Sequence, residues 1–119
     1  MKPLVLRPAA TELEWQIVKG ETYDIHVPVL DEHGDPVDVS AYTAKAQVRH
    51  SERDAVLHEW SGDTIECVGT EVVLHVLADE TSAWQFASAN FSIETYAPVT
   101  NAPRVIAQGV IHALPEYTQ

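Results

Sequence analysis

Cysteine is all but missing from this chain. Cys67 stands alone among 119 residues, so no internal disulfide can form and the fold must be held by its core. It lies in a strand-like run, Thr64-Ile65-Glu66-Cys67-Val68, and reads as a small, buried, unreactive residue. Basic residues are scarce too: 7 Lys and Arg face 18 Asp and Glu, a formal net charge of -11. Such a surface repels phosphate backbones, which argues against direct nucleic-acid binding, and it suits docking onto a basic partner. The five glycines stand singly, so there is no Gly-rich loop to cradle a phosphate. No apolar run approaches the roughly 18 residues of a membrane-spanning helix. The opening MKPLVLRPAATELEW is interrupted by Pro3, Arg7, Pro8 and Glu12, so neither a membrane contact nor a signal peptide is expected.

What the chain does contain is alternation. Tyr23, Ile25, Val27 and Val29 share one face of a strand, with Thr22, Asp24, His26 and Pro28 on the other. Tyr42, Ala44, Ala46 and Val48 alternate in the same way with Thr43, Lys45, Gln47 and Arg49. Between them DEHGDPVDVS has the Gly, Pro and Asx residues of a turn. Further strands are expected over Leu13–Val18, Val56–Trp60, Ile65–Val68, Glu71–Leu77, Asn90–Tyr96 and Arg104–Leu114. Turns recur about every ten residues, the rhythm of an antiparallel sandwich or barrel. Asp79 to Phe86 breaks that rhythm and reads as a helical turn or two, with Asp79 able to cap it and Trp84 as its anchor. The loop APVTNAP should project between the last two strands, and Gly109 marks either a bulge or a close backbone contact.

Motifs that carry chemistry are missing. The six histidines, His26, His33, His50, His58, His75 and His112, have no zinc-site spacing and read as scattered surface and core residues. Asp31, Glu32, Asp35 and Asp38 crowd one loop, but D-E-H-G-D-P-V-D lacks the ligand spacing of an EF-hand, so a solvated turn is expected. There is no G-x-S-x-G, and Cys67 has no activating neighbours in sequence. No enzyme activity, metal or cofactor is therefore expected. Aromatic residues fall mostly at inward or element-end positions, where core packing is the first expectation. Three are kept as candidate interaction residues: Trp60 and Tyr96, which would stack on a sugar if exposed, and Tyr117 beyond the last strand, a possible interface anchor.

The run K-G-E-T-Y, then D-E-H-G-D-P-V-D-V-S-A-Y-T-A-K-A-Q-V-R, resembles a pattern in small tailed-bacteriophage virion proteins. There a strand is followed by an acidic turn, a short step and a strand ending in Q-V-R or Q-I-R. The later segments Thr81-Ser82-Ala83-Trp84, Phe91-Ser92-Ile93-Glu94, Gln108-Gly109-Val110-Ile111 and Pro115-Glu116-Tyr117-Thr118 agree with it. The chain is similar to the N-terminal domain of baseplate upper proteins and to minor tail proteins of phages infecting actinobacteria and related hosts. It departs from them at Ala41, where Gly is usual, and at Ala89-Asn90-Phe91, where Gly-x-Tyr is usual. The resemblance spans about Leu13 to Thr118 and rests on turns and strand ends, so no catalytic residue carries over.

The resulting expectation is an all-β chain: an antiparallel, immunoglobulin-like β-sandwich over residues 13–114 with one short helical crossover. Residues 1–12 form an N-terminal arm and residues 115–119 a C-terminal tail. The resemblance implies a non-enzymatic virion component, at the tail tip or baseplate, contacting other virion structural proteins in multiple copies of a symmetric assembly. A capsid decoration or head–tail joining protein, and a carbohydrate- or receptor-binding module, are the alternatives.

Overall fold

The computed structural model describes residues 10–51 and 53–115. Among these, eight strands form two sheets. The strands are β1 (Thr11–Val18), β2 (Tyr23–Pro28), β3 (Thr43–Arg49), β4 (His58–Trp60), β5 (Ile65–Val68), β6 (Glu71–Val76), β7 (Ser88–Tyr96) and β8 (Pro103–Leu114). A five-stranded sheet runs in the order β1-β8-β7-β3-β4, and a three-stranded sheet in the order β2-β6-β5. The chain is thus all-β, with one five-residue helix, α1 (Ala78–Ser82), linking the two sheets.

The alternation in sequence is what builds the core. Val27 on β2, Ala46 and Val48 on β3, Val72, Leu74 and Val76 on β6, and Phe91 and Ile93 on β7 are all buried in one cluster. Leu13, Trp15, Tyr23, Ile25, Tyr42 and Ala44 pack against it from its margins. Aromatic rings link the margin to the centre: Trp15 stacks on Phe91 with centroids 4.0 Å apart, and the buried Trp60 meets Trp15 and Trp84 edge-on at 6.5 and 6.3 Å.

Several expectations of the fold need correction. The sandwich is not wholly antiparallel, because β1 runs parallel to β8 from Thr11 opposite Ala107 to Val18 opposite Leu114. Hairpin-length connections suggest antiparallel neighbours, but β1 and β8 are joined by the whole domain, so no tight turn constrains their direction. Strand β1 also begins at Thr11, so Thr11 and Glu12 belong to the sheet rather than to the arm expected over residues 1–12.

Of the two readings of Gly109, a bulge or a close backbone contact, the second holds, and the irregularity in the last hairpin lies elsewhere. Ile93 faces Ala107 while Glu94 faces Val105, so Ile106 is the extra residue and turns its side chain into the core. Gly109 instead serves close approach: a Cβ built there would overlap the backbone carbonyl of Leu13 on β1, with the Leu13 nitrogen only 3.0 Å away.

Helix α1 starts after Leu77, whose side chain makes no cap, and Asp79 lies in its first turn, so Asp79 complements the helix end by charge alone. Trp84 follows the helix and is buried as expected. The helix is fastened to the β1–β2 turn by Thr81, fully buried, whose Oγ1 accepts from the Gly20 amide at 2.9 Å. Strand β4 is shorter than expected, and Val56 and Leu57 lie exposed ahead of it, although the Leu57 amide still bonds to the Val48 carbonyl.

Candidate functional site

The three residues singled out from the sequence do not come together. Trp60 is 1% exposed, its rings are enclosed by Trp15, Trp84 and His58, and its Nε1 donates to the His75 carbonyl at 3.2 Å. Its place opposite Ala46 on the inward face of β4 makes it a core residue, which corrects its assignment as a sugar-stacking surface. Tyr96 ends β7, is half-buried, and donates its hydroxyl to Glu94 Oε2 at 2.9 Å. Burial, then the Glu94 carboxylate, push its phenol pKa up. Tyr117 lies outside the described residues.

Polar clusters are spent on joining strands. On the outer face of the three-stranded sheet, His75 of β6 lies between Asp24 of β2 and Glu66 of β5, with Nδ1–Oδ1 2.7 Å and Nε2–Oε2 3.0 Å. Both ring nitrogens meet carboxylates, so the doubly protonated imidazolium fits this clamp, and the Asp24 and then the Glu66 hydrogen bonds raise the His75 pKa. The carboxylates lie at opposite ends of the ring and do not converge. Among the described residues no group of three or more His, Cys, Asp or Glu is arranged to hold a metal.

His58 is the opposite case. Its ring is wedged against Trp60 at 4.5 Å and Trp84 at 5.3 Å, and burial pulls its pKa down despite Glu80 3.4 Å from Nε2. The two histidines give stability opposite slopes near neutral pH. His75, raised from 6.5, stabilises the fold fully below that value and progressively less as pH climbs through its folded pKa. His58, lowered, withdraws stability as pH falls below 6.5. His75→Gln should therefore remove the decline in melting temperature on the alkaline side of 6.5 and leave the acid-side loss in place. Thermal scans of both proteins in buffers on either side of neutrality would show this. A wild-type melting temperature that does not fall across that alkaline window, relative to the variant, contradicts the clamp.

The acidic loop turns two of its carboxylates, Asp31 and Asp38, onto its own backbone. Asp31 Oδ1 accepts from the amides of His33 and Asp35 at 2.8 and 3.0 Å, and Asp38 Oδ1 from the Ser40 amide and hydroxyl at 2.9 and 2.7 Å. These bonds hold both pKa values below the ordinary range and make the loop a set of Asx turns. Cys67 is half-buried rather than fully buried, and burial pushes its thiol pKa up, away from the reactive thiolate.

What remains for recognition lies at edges, faces and loop tips. Among the described residues the edge strands are β1 and β4 in one sheet and β2 and β5 in the other, with Val68 of β5 exposed. A shallow depression of about 490 Å³ on the outer face of the larger sheet is floored by Gln47, Arg49, Asn90, Ser92 and Gln108. Four of these side chains are already paired: Gln108 donates to Glu12, Gln47 to Glu59, Arg49 to Gln47 and Asn90 to the His50 carbonyl. The β7–β8 loop carries Val99 at its crest, fully exposed, with a backbone φ of 64°. A β-branched residue in the left-handed region costs about 1–2 kcal/mol.

Sequence reasoning placed that loop but not Val99, and it missed the His75 clamp and the aromatic enclosure of His58. A non-glycine residue directly after Pro98 in a tight loop was the one local signal for Val99. The other two depend on strand register. No protein-family model matches the chain, and no curated protein is significantly similar to it.

Proposed function

We propose that this chain is a non-enzymatic structural protein of a tailed-phage virion, an immunoglobulin-like sandwich at the tail tip or baseplate that docks onto other virion proteins. The fold reading is supported by strand order. β2, β6 and β5 take the places of B, E and D, β3, β7 and β8 those of C, F and G, and β4 is the added strand beside C. The inter-sheet disulfide of antibody domains is not available with Cys67 alone, and Trp60 and Trp84 fill the centre instead, with Trp15 packed against the core from its margin.

The observation that carries the functional reading is how the polar side chains are used. The described His, Asp and Glu clusters tie strands and turns together, and the features left over are edges and loop tips, the parts with which a sandwich contacts other proteins. The similarity of the turns and strand ends to small virion proteins supplies the setting. Repetition in a symmetric particle would let weak contacts of this kind add up through avidity. Burial of Trp60 weighs against the sugar-stacking alternative.

Mass spectrometry of disrupted, density-purified particles from the source tests the assignment. The chain is expected in several copies per particle, in constant ratio to the major tail protein through successive purifications. A ratio that falls with each purification contradicts it.

A further inference from the structure

The exposed crest of the β7–β8 loop is held rather than slack. The Ala97 amide bonds to the Ala102 carbonyl at 3.0 Å and the Asn101 amide to the Ala97 carbonyl at 2.9 Å, with Pro98 fixing the approach. On this closed hairpin Val99 has φ 64° and is fully exposed. Within the folded monomer that arrangement has no return: glycine would adopt the backbone without strain, and the side chain is buried against nothing. An outlier of this kind at a loop tip points to use of the side chain elsewhere.

The same end of the sandwich offers a seat for it. An apolar cavity of about 210 Å³ opens among Val29, Val37, Val39, Tyr42, Ala97 and Ala102. Arg104 also lines it; one of its nitrogens, Nη2, donates to the Leu30 carbonyl at 2.6 Å, while its Nε is buried without an acceptor. Ala97 and Ala102 flank the loop that presents Val99, so knob and cavity lie side by side on one surface. A patch holding both halves of a contact is what a two-fold interface requires, because each copy then gives what the other takes.

We propose that this end of the domain is a self-association surface, on which two copies pair about a two-fold axis and each inserts Val99 into the other's cavity. The preformed loop keeps the ordering cost of association low. The bodies that meet are both strongly acidic, with Asp31, Asp35 and Asp38 on the neighbouring loop, so their mutual repulsion is screened by salt and pairing strengthens as ionic strength rises. This pairing does not depend on the virion reading and is tested without particles.

The experiment is sedimentation velocity on the full chain across a concentration series, at low and high salt, for wild type, Val99→Gly and Ala102→Leu, with a melting scan of each. Wild type should dimerise, more tightly at high salt. Val99→Gly should weaken the dimer at least about tenfold, the loss expected of a central apolar anchor, with a melting temperature measured on the monomer that rises or holds. Ala102→Leu, which narrows the cavity mouth, should weaken it as well. A wild-type protein that stays monomeric up to about 1 mM, weaker than any specific pairing of this kind, overturns the proposal. So does a dimer indifferent to Val99→Gly, or a Val99→Gly monomer that melts lower than wild type, which would place the side chain in the service of its own hairpin.

Discussion

Gly109→Ala should detach the first strand. The added Cβ meets the Leu13 carbonyl carbon at 2.7 Å, and the obstacle is backbone, not a side chain able to swing away. Among the described residues strand β1 sits at the sheet edge with β8 as its one hydrogen-bonded neighbour, so the strain is relieved by moving β1 outward. Moving it breaks the register from Thr11 to Val18 and pulls Trp15 off Phe91 and Ile17 out of the core. Overpacking of this kind costs about 3 kcal/mol, which in a domain of this size lowers the melting temperature by more than about 10 °C. Amide exchange should show lost protection in β1 and β8 ahead of the other strands. Unchanged melting with protected β1 amides would mean that the two strands are not packed as described.

Trp60→Ala should be worse. The side chain is almost wholly buried, touches the rings of Trp15, His58 and Trp84, and donates to the His75 carbonyl across to the other sheet. Removing it forfeits the transfer energy of an indole and leaves a void between the sheets, a loss of about 3–5 kcal/mol, against a total of about 5–15 kcal/mol for a domain of this kind. The expected outcome is a protein that is unfolded or close to it at 37 °C, seen as loss of the near-ultraviolet dichroism of the packed tryptophans. Trp60→Phe, which keeps much of the volume and loses the hydrogen bond, should retain the fold with a smaller loss. A well-folded Trp60→Ala protein would mean that the indole is a surface group after all.

These two sites show what could be read from the chain before its structure. Period-two alternation around Tyr23–Val29 and Tyr42–Val48 identified strands and their inward faces, because a half-buried sheet writes its burial directly into sequence. Gly109 was recognisable as special, yet its neighbour was not, since β1 lies almost a hundred residues away and pairs parallel. Trp60 shows the converse problem. An aromatic residue in a three-residue edge strand has no periodicity of its own, so its inward direction is settled by β3 opposite and by the sheet behind it. The His75 clamp brings together residues 24, 66 and 75 from three strands, and no local spacing announces such a cross-strand set. Val99 escaped because its oddity is a dihedral angle, a property that Pro98 hints at and only the closed loop fixes.

The role proposed for the domain also gives meaning to its acidic surface. A monomer carrying -11 resists nonspecific aggregation despite free strand edges, and pairs only where an apolar or oppositely charged surface outweighs that repulsion. Assembly would then be selective without any catalytic group. The most direct test is immunogold labelling of purified particles from the source, with antibody raised against this chain. Gold at the distal tail, on intact or gently disrupted particles, is the predicted result. Gold confined to heads would contradict the tail position, and particles that stay unlabelled while the antibody recognises the purified chain would contradict the virion role itself.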